Sequence, residues 1–193
     1  TLACALVSRK LNIKLAHVEA GLRSNDKKMP EEVNRIKADK ISDMLFAPTK
    51  IAKNNLMKEK LNSKKIFVVG NTISDTIKEN IIRWKKKKIS TKYLFLTLHR
   101  PETVDKIKRL KKVIQSLIEI SYKLKIKIIF PIHPRTKKRL SNININNFEK
   151  INVIEPCNYF KSLAYQNNSL AVITDSGGMQ EEACILKKPC VTI

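Results

Sequence analysis

TDSGGMQEEACILKKP, residues 174–189, is the stretch whose reading decides the fold. It follows the apolar run LAVI and holds two of the four glycines in the chain. An apolar run that ends in Asp-Ser-Gly-Gly and passes straight into a helix-forming segment is a strand–turn–helix unit. The Gly pair permits close backbone approach, and the first N–H groups of the helix point outward, which makes a ready anion site. The plainer reading is that Ser176 caps the helix and the glutamates complement its dipole. Two adjacent glutamates beside a diphosphate would repel it, so at least one needs another task, such as accepting hydrogen bonds from ribose hydroxyls. No GK[ST] follows, so this is not a Walker loop, and it is not GxGxxG either. On the residues alone it reads as a nucleotide diphosphate site.

Outward from this unit the same alternation repeats. Strands are expected at 13–19, 44–49, 65–71, 93–99, 127–133, 151–156 and 170–175, and helices at 30–43, 50–60, 74–87, 104–123, 159–166 and 178–186. Alternating strands and helices with nearly continuous apolar strands predict an α/β fold with parallel sheets covered on both faces. EKLNSKKIF and LSNININNF read as polar connections. The glycine-free, highly charged stretch Ser74–Lys92 reads as a helix joining two α/β domains. The expected division is 1–73, a connecting helix at 74–90, and 91–193.

The chain has 193 residues, 42% hydrophobic and 29% charged, a composition that argues against disorder. The net charge of +22 raises a nucleic-acid reading. Its lysines are spread along the whole chain, and the one dense run, RWKKKK at 83–88, has no aromatic among its lysines. The charge therefore reads as solvated surface, and neither a nucleic-acid nor a membrane partner is expected. No apolar run approaches the roughly 18 residues of a membrane span, and no segment reads as a signal peptide. Cys4, Cys157, Cys184 and Cys190 show no zinc spacing and read as reduced, mostly packed thiols of a cytoplasmic protein. The helix-like opening and the strand-like ending predict a fragment cut from a longer chain.

In an open parallel sheet, ligands bind beyond the carboxyl ends of the strands. His17, His99 and His133, the three histidines of the chain, all fall at such ends, as do Glu19, Gly70 and Asp175. Turns explain glycines there but not histidines, and a shared cleft is expected. A second constellation is HVEAGLRS followed by MPEEVNR. Glu31 and Arg35 stand i, i+4 on one helix face. They form either a surface ion pair worth ~0–1 kcal/mol or, with Glu19, an acid–base cluster whose arginine holds negative charge. No metal-ligand pattern emerges, and neither GxSxG nor a Cys–His signature is present.

HVEAGLRS, MPEEVNRIKADKISDMLFAPT, VGNTISD, LTLHRPE, PIHPRT and TDSGGMQEEA occur in this order. Together they closely resemble the non-hydrolysing UDP-N-acetylglucosamine 2-epimerases, along the whole chain. The resemblance implies two Rossmann-like domains of the GT-B kind with the active site in the interdomain cleft. It implies interconversion of UDP-GlcNAc and UDP-ManNAc for glycan precursors, by elimination of UDP to 2-acetamidoglucal and re-addition, with no cofactor or metal. It implies that Glu19, Glu31, Arg35 and His99 are catalytic. Ser176, Gly177 and Gly178 would hold the diphosphate, Arg100 would lie near it by adjacency to His99, and Glu182 would hold the ribose. His133 matches a histidine that serves a regulatory UDP-GlcNAc site in some bacterial members. Ser162 stands where the family usually has an aromatic residue. A homodimer is implied for the full-length protein. The family's catalytic aspartate precedes the matched region, so the chain alone is expected to be inactive. The alternatives are a hydrolysing relative, an epimerase for a modified UDP-sugar, and a GT-B-like glycosyltransferase.

Overall fold

The computed structural model describes residues 1–84, 92–141 and 148–193. Lys85–Lys88 of the basic run and residues 142–147 of one expected connection lie outside the described residues. Chain contacts divide into two units, Thr1–Thr72 and Ile73–Ile193.

The first unit runs α1 (Leu2–Lys10), β1 (Ala16–Val18), α2 (Pro30–Ile41), β2 (Met44–Ala47), α3 (Lys50–Lys58) and β3 (Ile66–Val68). The three strands are parallel in the order β1-β2-β3, with Ala16 opposite Met44 and Leu45 opposite Ile66. Local chemistry sets the helix starts. Pro30 opens α2, where its missing N–H has no intrahelical partner to lose. The Thr49 hydroxyl caps α3 by accepting the Ala52 N–H at 3.1 Å. Leu45, Ala47, Ala52, Leu56 and Ile66 form the core under the sheet. Phe67 and Val68 remain 44% and 46% exposed, so this sheet is not covered on both faces as the apolar strands led one to expect.

One glycine is required here. Gly21, just beyond β1, has φ +79°, and a Cβ built on it would run into the carbonyl of Ala52. Its bare backbone lets α3 approach, and its carbonyl accepts the Asn55 amide at 3.0 Å.

The second unit runs α4 (Thr72–Trp84), β4 (Tyr93–Thr97), α5 (Pro101–Val104), α6 (Ile107–Leu124), β5 (Lys127–Pro131), α7 (Pro134–Leu140), β6 (Ile151–Ile154), α8 (Tyr159–Asn168), β7 (Ala171–Thr174), α9 (Gly177–Ile185) and β8 (Cys190–Thr192). Its five strands are parallel in the order β6-β5-β4-β7-β8. Numbered within the unit this is 3-2-1-4-5, the order of a doubly wound nucleotide-binding half, and it reverses between β4 and β7. The central strand alternates in register with its pleat. Leu94, Leu96 and Leu98 pack with Leu110, Ile114 and Phe130, while Tyr93 and Phe95 pack with Val172 and Ala183. Both faces of β4 are thus buried, as its unbroken apolar run requires. Ile77 of α4 packs with Leu163 and Leu186, so α4 shares a core with the second unit.

Several expected elements change. The helix expected over 104–123 is α6, which starts three residues later, and the short α5 precedes it across the turn at Asp105–Lys106. Helix α7 was not expected; Pro134 sits in its first turn. The final strand β8 exists but is exposed at all three positions rather than buried. Cys4, Cys184 and Cys190 are free and exposed, so they are not packing residues, and Cys157 is half-buried. Among the described residues no helix is long and apolar enough to cross a membrane.

The two positive-φ glycines give a contrast. Gly70, at φ +84°, has nothing within 4 Å of a built Cβ. Gly70→Ala should cost only the left-handed backbone penalty, about 1 kcal/mol. Gly21→Ala adds a backbone collision and should cost roughly 3 kcal/mol or more. Urea unfolding of the two variants measures the difference.

Candidate active site

In the first unit, a cavity of about 300 Å³ opens at the carboxyl end of β1. His17, Val18, Glu19, Glu31, Asn34 and Arg35 line it. The structure therefore brings together the three residues that sequence placed in one acid–base cluster. Glu19 is held at φ +64°, a left-handed conformation that costs a non-glycine residue about 1 kcal/mol. Neither the Glu19 nor the Glu31 carboxylate has a hydrogen bond or ion pair among the described residues. Both are exposed.

The expected Glu31–Arg35 pair does not form. Arg35 pairs with Glu32, three residues earlier, at 3.2 Å. Glu32 is buried and also accepts the main-chain N–H groups of Ser24 and Asn25 at 3.0 and 3.1 Å. Burial pushes its carboxyl up, but the hydrogen bonds from Ser24 and Asn25 and the charge of Arg35 outweigh this and hold it below the ordinary glutamate value. Glu32 thus ties the loop after β1 to α2, and α2 carries Glu31 and Arg35.

A second carboxylate lies deeper. Asp39, with a fully buried side chain, accepts from His17 Nδ1 at 2.6 Å through one oxygen. Its other oxygen takes the Gly21 N–H at 3.2 Å and Arg23 Nη2 at 2.7 Å. Arg23 is gripped in turn by Glu59, Nε to Oε1 at 2.6 Å and Nη2 to Oε2 at 2.9 Å. Burial works against the Arg23 charge, yet its bonds and charge contacts with Glu59 and Asp39 push its pKa further up.

In the second unit, a cavity of about 240 Å³ lies beyond the ends of β4, β5, β6 and β7. His99, His133, Cys157, Ser162, Ser176 and Met179 are among its lining residues. The histidines therefore divide: the rings of His99 and His133 lie 5.7 Å apart here, and His17 belongs to the first unit. His133 caps α7, its Nδ1 accepting the Arg135 N–H at 3.2 Å.

The turn at 174–178 is built from beneath. The Asp175 side chain is fully buried and accepts the main-chain N–H of His99 at 3.0 Å and of Arg100 at 2.9 Å. Its Oδ1 stands 3.3 Å from His99 Nδ1. Thr97 and Thr174 bond across β4 and β7 at 2.7 Å, and the Ser176 N–H donates to Thr174 Oγ1 at 3.0 Å. Ser176 caps α9 only at long range, its Oγ 3.5 Å from the Met179 nitrogen. Gly177 and Gly178 open α9. A Cβ built on Gly178 would meet nothing within 4 Å, and one on Gly177 would meet only Arg100 Nη2 at 3.7 Å. The protein's own packing therefore does not demand glycine at either position.

Electrostatics give this turn a sign. No acidic residue lies in the first turn of α9, so Glu181 is not the dipole complement that sequence suggested. The Arg100 guanidinium stands beside the same helix N-terminus and makes no ion pair among the described residues. A guanidinium beside a helix N-terminus whose first turn has no acidic residue favours an anion. Glu182 lies deeper, 8% exposed, and accepts Gln166 Nε2 at 2.6 Å. Burial pushes its carboxyl up, the Gln166 bond opposes this, and the charge of Glu181 adds to it.

Sequence reasoning missed Asp39, Arg23, Glu32 and Glu59, and missed how Asp175 acts. A signal existed for Asp39 alone: it stands four residues beyond Arg35 on α2 and so shares the helix face that carries the candidate site.

Glu32 yields a pH prediction. Its folded pKa lies below the unfolded one, so its stabilisation is present above the unfolded value of roughly 4.3 and is lost as pH falls through the folded value. Glu32→Gln should therefore be clearly less stable than the parent at neutral pH, and the gap should close on acidification below about pH 4. Denaturant unfolding at a series of pH values measures it.

Comparison with known proteins follows the same geometry. The family model for UDP-N-acetylglucosamine 2-epimerase matches residues 1–193. The UDP-N-acetylglucosamine 2-epimerase of Methanocaldococcus jannaschii is 50% identical over 206 residues, covering 100% of this chain and 56% of that protein. The crystal structure of the M. jannaschii UDP-GlcNAc 2-epimerase in complex with UDP-GlcNAc and UDP is similar with a TM-score of 0.87 at 50% identity, over 99% of this chain and 56% of that one. The UDP-2,3-diacetamido-2,3-dideoxy-D-glucuronate 2-epimerase of Pseudomonas aeruginosa is 36% identical over 200 residues, covering 100% of this chain and 55% of that protein. The chain spans about half the length of the curated relatives it matches. Its fold is α/β with parallel sheets, of the GT-B-like kind. Matched along its whole length, the chain belongs to the UDP-N-acetylglucosamine 2-epimerase family.

Proposed function

We propose that the complete protein interconverts UDP-GlcNAc and UDP-ManNAc, as a supplier of glycan precursors, and that this chain carries most of the groups that do so. The observation that bears most weight is the cavity in the first unit, where Glu19 and Glu31 stand beside Arg35 without partners among the described residues. Inverting a carbon next to the anomeric centre needs a proton removed on one face and a proton supplied on the other. Two unpartnered carboxylates in one cavity have that capacity. Arg35, already neutralised in part by Glu32, holds the negative charge of the cluster in place.

Elimination also needs a stabilised leaving group. UDP departs from C1 as the C2 proton is taken, leaving 2-acetamidoglucal, and its phosphate oxygens gain charge in that step. The N–H groups at Gly177 and Gly178, the Ser176 hydroxyl, the Arg100 guanidinium and His99 are the groups assigned to those oxygens. They are fixed before reaction by Asp175, so little reorganisation is needed when charge develops. Glu182, with one oxygen on Gln166, is assigned to the ribose hydroxyls through the other. His133, beside His99, is assigned to nucleotide contact, with the regulatory UDP-GlcNAc site as its alternative role.

A second reading keeps the chemistry and changes the sugar. The Pseudomonas relative, named for a diacetamido uronate, covers the whole of this chain. Turnover of both UDP-sugars by the purified complete protein decides between them, and free ManNAc as product would instead mark a hydrolysing enzyme.

Glu19→Gln and Glu31→Gln in the complete protein should each lower kcat by about 100-fold or more while UDP still binds. Wild-type turnover in either variant removes that carboxylate from the assignment. Glu182→Ala should do the reverse, weakening UDP binding by about tenfold, the loss of about one hydrogen bond to a charged group. Isothermal titration with UDP measures it.

A further inference from the structure

His17 lines the cavity that holds Glu19 and Glu31, yet neither the sequence reading nor the proposed mechanism gives it a task. Its chemistry is fixed by what it touches. An ionised carboxylate only accepts, so the 2.6 Å contact with Asp39 Oδ1 requires the proton to sit on Nδ1. That Asp39 is ionised follows from its other oxygen, which faces the Arg23 guanidinium at 2.7 Å and the Gly21 N–H at 3.2 Å. Asp39 cannot turn away, because Arg23 is itself gripped by Glu59 through two bonds. In a neutral ring so held, the lone pair lies on Nε2.

Nε2 is also open. The one sealed side-chain polar atom without a partner among the described residues is Gln166 Oε1. His17 Nε2 has no partner among the described residues either, so it is not sealed, and His17 lines the cavity. An imidazole whose Nδ1–H is held by a buried aspartate, with Nε2 free toward a reactive site, is the arrangement that lets a histidine take up and release a proton without turning.

We propose that His17 is a proton relay between the two carboxylates of this cavity, positioned by Asp39 and the Arg23–Glu59 clamp behind it. The proposal rests on the reading of Glu19 and Glu31 as the proton-handling pair. An inversion leaves the carboxylate that removed a proton protonated and the group that supplied one deprotonated, so the pair must be reset before the next turnover in the same direction. Nε2 takes the proton from the protonated carboxyl, giving a carboxylate and an imidazolium. The imidazolium then gives it to the other carboxylate and returns to the neutral ring. No proton is gained or lost over the cycle, and Asp39 faces the positive charge while it resides on the ring. A reference imidazole is the stronger base than a carboxylate by about two pKa units, so it takes this proton readily, and handing it on to the second carboxylate is the step with a modest cost.

Two isosteric variants of the complete protein separate relay from structure. His17→Asn keeps an N–H at the Nδ1 position and with it the bond to Asp39, but removes Nε2. His17→Gln keeps a polar group near the Nε2 position but gives up the bond to Asp39. A relay predicts that His17→Asn melts like wild type, binds the UDP-sugar with unchanged KM, and loses about 100-fold in kcat. If His17→Asn keeps wild-type kcat and only His17→Gln is impaired, the ring merely supports the fold and the relay is wrong. A wild-type protein that epimerises no UDP-sugar would strike the functional reading instead. The relay then stands or falls on nitrogen-15 NMR of the ring: a neutral imidazole protonated on Nδ1 with an unbonded Nε2 supports it, and a proton resident on Nε2 overturns it.

Discussion

The carboxylate of Asp175 fixes the place where the second sheet changes direction. It sits under the turn that leaves β7 and draws in the main-chain N–H groups of His99 and Arg100, which leave β4. Those two strands are where the order 3-2-1-4-5 reverses, so their loops part and leave a crevice. Without the pin, the β4 loop would have to satisfy its N–H groups elsewhere, and neither His99 nor Arg100 would be held against α9. Burying a charge is costly unless it is fully bonded, and the two N–H groups together with the nearby His99 ring meet that requirement.

The first unit repeats the device with different partners. Asp39 is likewise sealed from solvent and likewise spends both oxygens, here on a histidine ring, a glycine N–H and an arginine. In each unit a buried aspartate sets the backbone after a strand and orients a histidine at the strand end. The exposed groups lie one layer further out: Glu19 and Glu31 in one unit and Arg100 in the other, their side chains without ion pairs among the described residues. Chemistry that moves charge wants such groups ready but rigidly mounted, and a buried ionic foundation supplies the mounting.

Much of the fold was legible because apolar strands announce themselves. All seven expected strands exist, with shorter bounds, and the strand-end rule located Glu19, His99, Asp175 and the Gly pair. What escaped depends on partners distant in the chain. Asp39 acquires its meaning from His17, 22 positions away, and Arg23 from Glu59, 36 positions away. Helical spacing allowed Arg35 to meet either Glu31 or Glu32, and only the Ser24 and Asn25 N–H groups, which bury Glu32, decided between them. Helix α7 was overlooked because seven residues rich in lysine and arginine carry no apolar period to read. The Gly pair reads as permitting close backbone approach, and the structure leaves that approach open: a Cβ built on Gly178 meets nothing within 4 Å and one on Gly177 meets only Arg100 Nη2. That opening is what a bound diphosphate would need.

The central claim is that the 174–178 turn and the β4 loop together hold the diphosphate. The first N–H groups of α9 lack intrahelical acceptors and should exchange rapidly in the free protein. Hydrogen–deuterium exchange of the complete protein, with and without UDP, tests this directly. The account predicts that UDP slows exchange in the peptides that contain residues 97–101 and 174–180 and leaves α6 unchanged. Saturable UDP binding with both peptides exchanging as fast as before would contradict it.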